Sequence, residues 1–266
     1  MVKRVLSAIV MAVIFIPFLI LGGKAFTALM CVLGCVAMYE LLAIKDSKNE
    51  LPFIIKLFTY FIVMFMVLNN MESMDFNYQL DYKFMSVVIF LFASPLVFIG
   101  DNDTYNFSDC LYLIAITLFI GFGFNLIAIT RNYDLYHFIY ILLIAIMTDI
   151  FAYVTGSLVG RHKLCPKISP NKTIEGAIGG TIMGVFVAGS FYHIFINPNY
   201  PLILLGIITL IFSFVGQVGD LVFSMIKRYY KTKDFSNLIP GHGGILDRFD
   251  SIIFIVLAFI LVIGII

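Results

Sequence analysis

The stretch from residue 213 to residue 250 carries the side chains best suited to chemistry, at the end of a long apolar block. Its first polar residues recur at spacings of four, three and four, which places them on one face of a helix. They are Ser213, Gln217, Asp220 and Ser224. A carboxylate beside a membrane-like span is costly, so Asp220 is a functional candidate, while a polar seam between helices is the alternative interpretation of the stripe.

The loop that follows the stripe combines cations, carboxylates and glycines. Its charged residues are Lys227, Arg228, Lys231, Lys233, Arg248, Asp234, Asp247 and Asp250, and they flank the turn PGHGG at 240–244. A segment that only touches anionic lipid needs neither the glycines nor the interleaved aspartates. Phosphate chemistry uses all three: glycine N–H groups approach oxyanions, Lys and Arg neutralise them, and carboxylates hold Mg²⁺. The pattern favours a phosphate site.

A second polar segment precedes the stripe. Asp149 falls near the middle of an apolar block, and a basic loop at 161–167 follows it. The turn after that loop supplies the anion-binding candidates Ser169, Asn171, Lys172 and Thr173. Lysine beside hydroxyls and a helix N-terminus suits an anion, although a basic anchor on the inner membrane face explains the loop equally well.

Several catalytic classes are excluded because their motifs are missing. The sequence has no phosphate loop of the G-x4-G-K-[ST] type, no dinucleotide fingerprint, no H-E-x2-H and no G-x-S-x-G nucleophile elbow. Its four cysteines have neither zinc spacing nor the density of a disulfide framework. Basic residues are not interleaved with aromatics on a soluble surface, so we expect no nucleic-acid partner.

Composition places these residues in a membrane. Hydrophobic residues make up 61% of 266, charged residues only 12%, and the mean hydropathy is +1.03. Nearly continuous apolar blocks predict helices rather than the alternating strands of a barrel. We therefore predict an all-α, polytopic integral membrane protein with about nine transmembrane helices. Their predicted positions are 5–22, 25–44, 52–69, 84–100, 109–130, 136–158, 174–195, 201–223 and 251–266.

The basic residues predict the orientation. If the N-terminus faces the cytoplasm, 14 of the 17 Lys and Arg residues lie on the cytoplasmic side, and only Lys24, Lys83 and Arg131 lie on the other. The segment 69–83 is then a polar external loop, and the acidic loop 101–108 is the exception to the pattern. We predict that 1–130 is a helical scaffold and that 131–266 is the catalytic region, with its site at the cytoplasmic face.

The stretch 224–250 resembles the signature of the phosphatidate cytidylyltransferases, also called CDP-diacylglycerol synthases. The matching residues are Ser224, Lys227, Arg228, Lys233, Asp234, Pro240, Gly241, His242, Gly243, Gly244, Asp247, Arg248 and Asp250. Upstream, 148–164, 169–176 and 216–224 also resemble blocks of that family. The resemblance covers roughly 145–250, and residues 1–140 are similar only in being apolar and multi-spanning.

The resemblance implies an activity and a cofactor. CTP and phosphatidic acid would give CDP-diacylglycerol and pyrophosphate, with Mg²⁺ required and a second cation allowed. Asp220 and Asp247 would be the metal-binding carboxylates, with Asp250 and Asp149 as further ligands or supports. We expect the phosphatidate oxygen to attack the α-phosphorus of CTP, so no enzyme nucleophile is needed.

The remaining predicted residues would contact the two polyanionic substrates. Lys227, Arg228, Lys233 and Arg248 would offset negative charge, while Ser169, Asn171, Lys172 and Thr173 would grip a phosphate. Ser224, His242, Gly243 and Gly244 complete the set, His242 being first of all a turn residue. Of these, Asp220, Asp247, Lys227 and Arg248 are the predicted catalytic residues.

Two other functions stay open at this point. A cation-coupled transporter would use Asp149 and Asp220 as a pathway, but it leaves the glycine-rich basic loop unexplained. A related membrane nucleotidyltransferase acting on another lipid fits the same residues. Small size favours a bacterial plasma membrane, with membrane lipid as the surroundings, and a homodimer is a further hypothesis.

Overall fold

In the described residues, the regular secondary structure is helical apart from one short hairpin. The computed structural model describes residues 2–47, 50–69, 82–99 and 104–263, with residues 2–5 as backbone only. Its helices are α1 (Val2–Leu21), α2 (Gly23–Asp46), α3 (Phe53–Leu68), α4 (Tyr82–Ala93), α5 (Pro95–Phe98), α6 (Phe107–Tyr133), α7 (Leu135–Val159), α8 (Ile174–Phe195), α9 (Leu202–Tyr229) and α10 (Leu246–Ile260). Strands β1 (Lys163–Cys165) and β2 (Ser169–Thr173) lie between α7 and α8. The predicted all-α class is confirmed.

Each predicted apolar block is helical, but several ends differ from the prediction. The fourth block is divided at Ser94, where Pro95 begins α5 because proline cannot donate to a preceding turn. Helix α9 runs past the predicted end at 223 to Tyr229, and α10 begins at Leu246 instead of 251. Most of the predicted external loop, 70–81, and residues 101–103 of the acidic loop lie outside the described residues. The predicted ends of the fourth and last blocks, residue 100 and residues 264–266, also lie outside them.

In the part of the chain that the structure describes, five helices are long and apolar enough to cross a bilayer. They are Gly23–Asp46, Phe107–Tyr133, Leu135–Val159, Ile174–Phe195 and Leu202–Tyr229. The segments Leu6–Leu21, Phe53–Leu68 and Tyr82–Phe98 are apolar but shorter. Large apolar side chains are exposed along these helices, among them Phe53 at 77% and Ile203 at 82%. Apolar surface on this scale is typical of a protein surrounded by lipid.

The chain forms two compact units. The first unit comprises Met1–Tyr133 together with Asp234–Leu246, and the second comprises Asp134–Lys233 together with Asp247–Ile266. In the first unit, α2, α3 and α6 pack together around buried side chains such as Phe124. Asn125 is a polar residue of this core, and its side-chain amide donates to the carbonyl of Met66 at 2.7 Å.

In the second unit, α7 and α8 pack very closely because small residues line their interface. A methyl group added at Gly180 would lie 2.4 Å from the carbonyl oxygen of Thr148, and one at Gly176 would lie 2.6 Å from that of Ala152. Small residues allow helix backbones to approach closely within membranes. These glycines therefore allow the close packing of the two helices, and the contact brings Thr148 and its neighbours on α7 against α8.

The hairpin between α7 and α8 was not predicted. Its strands are antiparallel, with Lys163 paired to Thr173. Thr173 then caps α8, since its Oγ1 accepts the N–H of Gly176 at 3.1 Å. Glu175, in the first turn of α8, accepts the backbone N–H groups of Arg161 and His162 at 3.1–3.2 Å. These contacts hold both ends of the hairpin at the start of α8.

The α7–α8 interface predicts a specific sensitivity to one methyl group. We expect Gly180→Ala to destabilise the protein by about 1–3 kcal/mol, because the added carbon meets backbone atoms that cannot move aside. Gly189→Ala on the same helix is the matched control, since nothing lies within 4 Å of its added methyl. The unfolding midpoint of detergent-solubilised protein measures the difference. Equal midpoints for the two variants would contradict the described packing.

Candidate active site

The N-terminal part of the polar stripe on α9, Ser213 and Gln217, lies in the interface between α7, α8 and α9. Ser213 shares a hydrogen bond of 2.8 Å with Thr148 of α7, and the amide of Gln217 donates to Thr181 of α8 at 2.7 Å. These side chains satisfy one another inside the second unit. The alternative interpretation of the stripe therefore applies to Ser213, and largely to Gln217.

The C-terminal part of the stripe, Asp220 and Ser224, differs because Asp220 carries a charge. Asp220 forms an ion pair with Lys172 of β2, and it also accepts the hydroxyl of Ser224 at 3.3 Å. The Asp220 side chain is 22% exposed. Two segments 48 residues apart in sequence thus meet here, and both were predicted to contact phosphate or metal.

A cavity of about 380 Å³ opens beside this ion pair. Five of the predicted residues line it, namely Asp149, Asn171, Lys172, Thr173 and Asp220. The rest of the lining is Ala152, Tyr153, Gly156, Ser157, Leu164, Ala177 and Gln217. The sequence did not single out Ser157 or Leu164, since neither type is distinctive, and the hairpin that brings Leu164 to the cavity was not predicted.

Three carboxylates lie within electrostatic reach of one another around this site. Asp149 interacts with Asp220 and with the cations Lys172 and Arg248. Asp250, which is only 8% exposed, interacts with Asp220 and Asp149 and with Lys227. Like charges this close repel, so the arrangement favours a bound cation or positively charged side chains. Three positively charged side chains are present here, those of Lys172, Lys227 and Arg248.

Lys227 and Asp247 form a second ion pair. Their Nζ and Oδ1 atoms lie 2.6 Å apart, and the two side chains are only 9% and 5% exposed. Lys227 reaches Asp247 because α9 continues beyond its predicted end, and Asp247 lies in the first turn of α10, where a negative charge is favoured. Each of the two predicted catalytic aspartates therefore forms an ion pair with a lysine.

The other predicted residues of the second unit lie at its periphery. Arg228 is exposed and donates to the carbonyl oxygens of Ile168 at 3.1 Å and Thr232 at 2.9 Å, which secures the hairpin turn. Ser169 is the half-buried first residue of β2, and Lys233 and Arg248 are exposed. Apart from Arg248, these residues do not line the cavity or join the carboxylate cluster.

The glycine-rich turn belongs to the first unit. The backbone conformation explains why two of its residues are glycine. Gly241 and Gly243 have φ values of 78° and 79°, a region that side-chain-bearing residues rarely adopt. The turn is closed by the N–H of Ile239 donating to the carbonyl of Gly243 at 2.9 Å. His242 lies in this turn with its Nδ1 2.7 Å from the hydroxyl of Ser7, in agreement with its prediction as a turn residue.

Glu40 is a buried carboxylate that is not among the predicted site residues. It lies on α2 with 1% exposure, and its two oxygens accept the hydroxyl of Ser236 and the backbone N–H groups of Ile245 and Leu246. These contacts explain why α10 begins at Leu246, since a carboxylate satisfies its first N–H groups. No local pattern signals this role because the partners lie about 200 residues along the chain.

The acidic residues fit a hard divalent cation by donor type. Mg²⁺ prefers oxygen ligands, keeps several waters, and is usually held by one or two carboxylates together with substrate phosphates. Asp220 and Asp149 present such oxygens to the cavity. Within 2–47, 50–69, 82–99 and 104–263, no three His, Cys, Asp or Glu side chains form a ready-made metal cluster. A cation here would need the substrate as a further ligand.

Comparison with known proteins gives the family. A profile of the cytidylyltransferase family matches residues 2–266, which is nearly the whole chain. The chain therefore belongs to the cytidylyltransferase family. The match extends well beyond the signature stretch, so the N-terminal helices are part of the family architecture as well.

Curated relatives share this family over their full length. The chain is 36% identical over 259 residues to a phosphatidate cytidylyltransferase of Bacillus subtilis, covering 96% of this chain and 94% of that protein. It is 37% identical over 253 residues to a phosphatidate cytidylyltransferase of Staphylococcus saprophyticus, and 36% identical over 253 residues to that of Staphylococcus haemolyticus, with 95% of each chain covered. These similarities favour the enzyme over the transporter.

The Lys227–Asp247 pair leads to a prediction about stability. Lys227→Met leaves the Asp247 carboxylate in low-exposure surroundings without this cation, and we expect a loss of about 3–5 kcal/mol in the free energy of unfolding. Thermal unfolding of the detergent-solubilised protein measures it. Lys167→Met, at an exposed lysine of the hairpin turn, should leave the midpoint unchanged.

A paired substitution separates charge from packing. In Lys227→Met/Asp247→Leu both charges are gone, so the midpoint should return toward that of the unaltered protein, because replacing a whole buried pair by apolar groups is often neutral. If Lys227→Met alone unfolded at the midpoint of the unaltered protein, the ion pair would make no contribution to stability.

Proposed function

We propose that this chain is a phosphatidate cytidylyltransferase, which transfers CMP from CTP to phosphatidic acid and releases pyrophosphate in phospholipid biosynthesis. The observation that carries the proposal is the cavity of the second unit, which collects Lys172, Asn171 and Thr173 with Asp149 and Asp220. The names of the curated relatives point to the same reaction.

The charges of this site suit a reaction between two anions. CTP and the lipid head group both carry phosphate charge, which must be offset before they can approach each other. Lys172, Lys227 and Arg248 are the cations of the carboxylate cluster. The two lysines pair with Asp220 and Asp247, and these cations balance the charge of the two carboxylates.

The reaction follows from the substrates themselves. An oxygen of the phosphatidate phosphate attacks the α-phosphorus of CTP, forming a new P–O bond as the bond to the β-phosphate oxygen breaks. Pyrophosphate leaves with that electron pair, so no enzyme side chain is modified. The chain's own contribution is to orient and neutralise: Asn171 and Thr173 donate to phosphate oxygens, and Lys172 offsets the charge that develops in transfer.

We further propose that the enzyme depends on Mg²⁺, with Asp220 and Asp247 as its main ligands and Asp149 and Asp250 in support. Bound there, the ion would supply positive charge that stabilises the negative charge of the phosphates during transfer. The proposal is supported by an excess of carboxylates over cations. Asp149, Asp220 and Asp250 form the cluster, Asp247 adds a fourth carboxylate through its pair with Lys227, and the cations are Lys172, Lys227 and Arg248. A second cation is compatible with this excess.

The location of the site is also a proposal. We place it at the cytoplasmic face of a bacterial plasma membrane, crossed by nine helical segments in which α4 and α5 together form one. The bias of Lys and Arg toward one side supports this orientation, and the bacterial origin of the relatives supports the compartment. CTP is soluble and the lipid tails stay in the bilayer, so a boundary site admits both. A homodimer is a separate hypothesis.

The activity is tested by following label from CTP into lipid. Purified enzyme in mixed micelles receives CTP labelled at the α-phosphate, with phosphatidic acid, a polyprenyl phosphate or a lyso-lipid phosphate, each with and without Mg²⁺. We expect CDP-diacylglycerol and pyrophosphate in equal amounts with phosphatidic acid and Mg²⁺. Faster transfer to a polyprenyl phosphate would contradict the proposed acceptor, and no transfer to any lipid would contradict the class of enzyme.

The same assay tests the aspartates. Asp220→Asn and Asp247→Asn each remove one negative charge and keep the side-chain shape, so we expect the turnover of the folded fraction to fall by at least about a hundredfold. Asp247→Asn should also lower the unfolding midpoint, because Lys227 loses this buried partner. Asp46→Asn is the matched control, because Asp46 pairs with Lys56 at 2.5 Å in the first unit and has no proposed part in the reaction. Near-normal turnover in both active-site variants would refute the metal assignment.

A further inference from the structure

Glu40 is a buried carboxylate that no part of the proposed reaction uses. It lies in the N-terminal region that the signature resemblance does not reach, and a charge on an apolar helix such as α2 is costly unless it has strong partners. Three of its partners lie in one segment: the hydroxyl of Ser236 at 2.6 Å, the N–H of Ile245 at 2.8 Å and the N–H of Leu246 at 2.9 Å.

The carboxylate of Glu40 lies so close to residue 244 that only glycine fits there. A methyl group added at Gly244 would lie 2.4 Å from Oε1 of Glu40 and 2.7 Å from its carboxyl carbon. Gly244 is not among the residues with positive φ, so its backbone conformation does not require glycine. Glycine at 244 is therefore explained by the space that Glu40 occupies, in contrast with Gly241 and Gly243.

Glu40 cannot reach a substrate in this position. Its side chain is 1% exposed, and both oxygens are engaged by the segment 236–246. It is not a lining residue of the cavity of the second unit. Any effect on the reaction must therefore pass through the segment that it holds.

That segment ends directly before a predicted catalytic residue. Leu246, whose N–H Glu40 accepts, is the first residue of α10, and Asp247 is the next residue along the chain. A hydrogen bond to a carboxylate is stronger than one to a neutral acceptor, so the first N–H groups of α10 are held at a fixed point. The direction in which Asp247 leaves the backbone depends on that point.

We propose that Glu40 is a positioning residue for the transfer reaction: by binding the N–H groups of Ile245 and Leu246 it fixes the start of α10 and so the placement of Asp247. This inference rests on the proposed function, since it concerns the aspartate that the function uses. Gly244 belongs to the same device because only glycine leaves room for the carboxylate.

Glu40→Gln is the most informative variant because it keeps the size of the side chain. Its NH₂ group cannot accept a hydrogen bond, so one oxygen must serve where two did. We expect kcat of the folded fraction to fall between about tenfold and a hundredfold, since small displacements of a catalytic group have effects of that size. We expect the KM for phosphatidate to change less than about twofold, because Glu40 does not contact the lipid.

The control is a buried carboxylate of the same unit with another task. Asp109 is 0% exposed and forms an ion pair with Lys45. Asp109→Asn should lower the unfolding midpoint yet leave kcat of the folded fraction within about twofold, because a structural loss reduces the amount of folded enzyme and not its turnover. An equal fall in kcat for Asp109→Asn and Glu40→Gln would reduce Glu40 to a structural role.

A double-variant cycle tests the link to Gly244. Gly244→Ala should lower kcat by displacing the carboxylate, whereas in Glu40→Ala/Gly244→Ala the added methyl meets no carboxylate. The double variant should therefore be no slower than Glu40→Ala alone. If the two losses multiplied, Gly244 would act independently of Glu40, and its part in the proposal would be overturned.

Hydrogen exchange separates this inference from the proposed function. Amide exchange in the peptide covering 236–246 should accelerate in Glu40→Gln and not in Asp109→Asn, whatever lipid the enzyme uses. Unchanged exchange with unchanged kcat would overturn the positioning role while the unaltered enzyme still converted phosphatidate. If the unaltered enzyme failed to convert phosphatidate, the proposed function would fail, and the exchange result would still decide whether Glu40 holds the segment.

Discussion

The balance of charge at one cavity is the constraint on which the second unit depends. Asp149, Asp220 and Asp250 lie within reach of one another, and carboxylates in apolar surroundings are tolerated only with cations beside them. Lys172 comes from a hairpin and Lys227 from the last turns of α9. The small residues between α7 and α8 serve this balance too, since they let the segment with Asp149 approach the segment that starts at Thr173.

The same balance gives the site its chemical character. A site filled with cations alone would bind phosphate and hold it, whereas one with an excess of carboxylates has room for a divalent ion that enters with its substrate. Ion pairs such as Lys227–Asp247 keep the carboxylates compensated without substrate. The family shown by the full-length match is one whose relatives act on phosphatidate, a lipid whose head group is itself an anion.

Much of this architecture could be predicted from the sequence, and what was missed has a common cause. Apolar length alone predicted every helix, and the spacing of Asp220 and Ser224 predicted their shared face. The end of α9, the start of α10 and the hairpin were missed because they depend on side chains distant in sequence. Lys227 of α9 forms an ion pair with Asp247, and the N–H of Leu246 at the start of α10 donates to Glu40. Local patterns carry no information about partners 20 or 206 residues away.

The central claim is that Asp220 helps to hold a divalent ion at the cavity. Equilibrium dialysis of Mn²⁺, standing in for Mg²⁺, against enzyme with a CTP analogue that cannot be cleaved measures the Mn²⁺ retained by the enzyme, and so tests the claim without any turnover. The account predicts saturable binding that weakens at least about tenfold in Asp220→Asn, as expected for losing a carboxylate ligand, and that is unchanged in Asp46→Asn. Equal binding by the Asp220→Asn variant and the unaltered enzyme would contradict it.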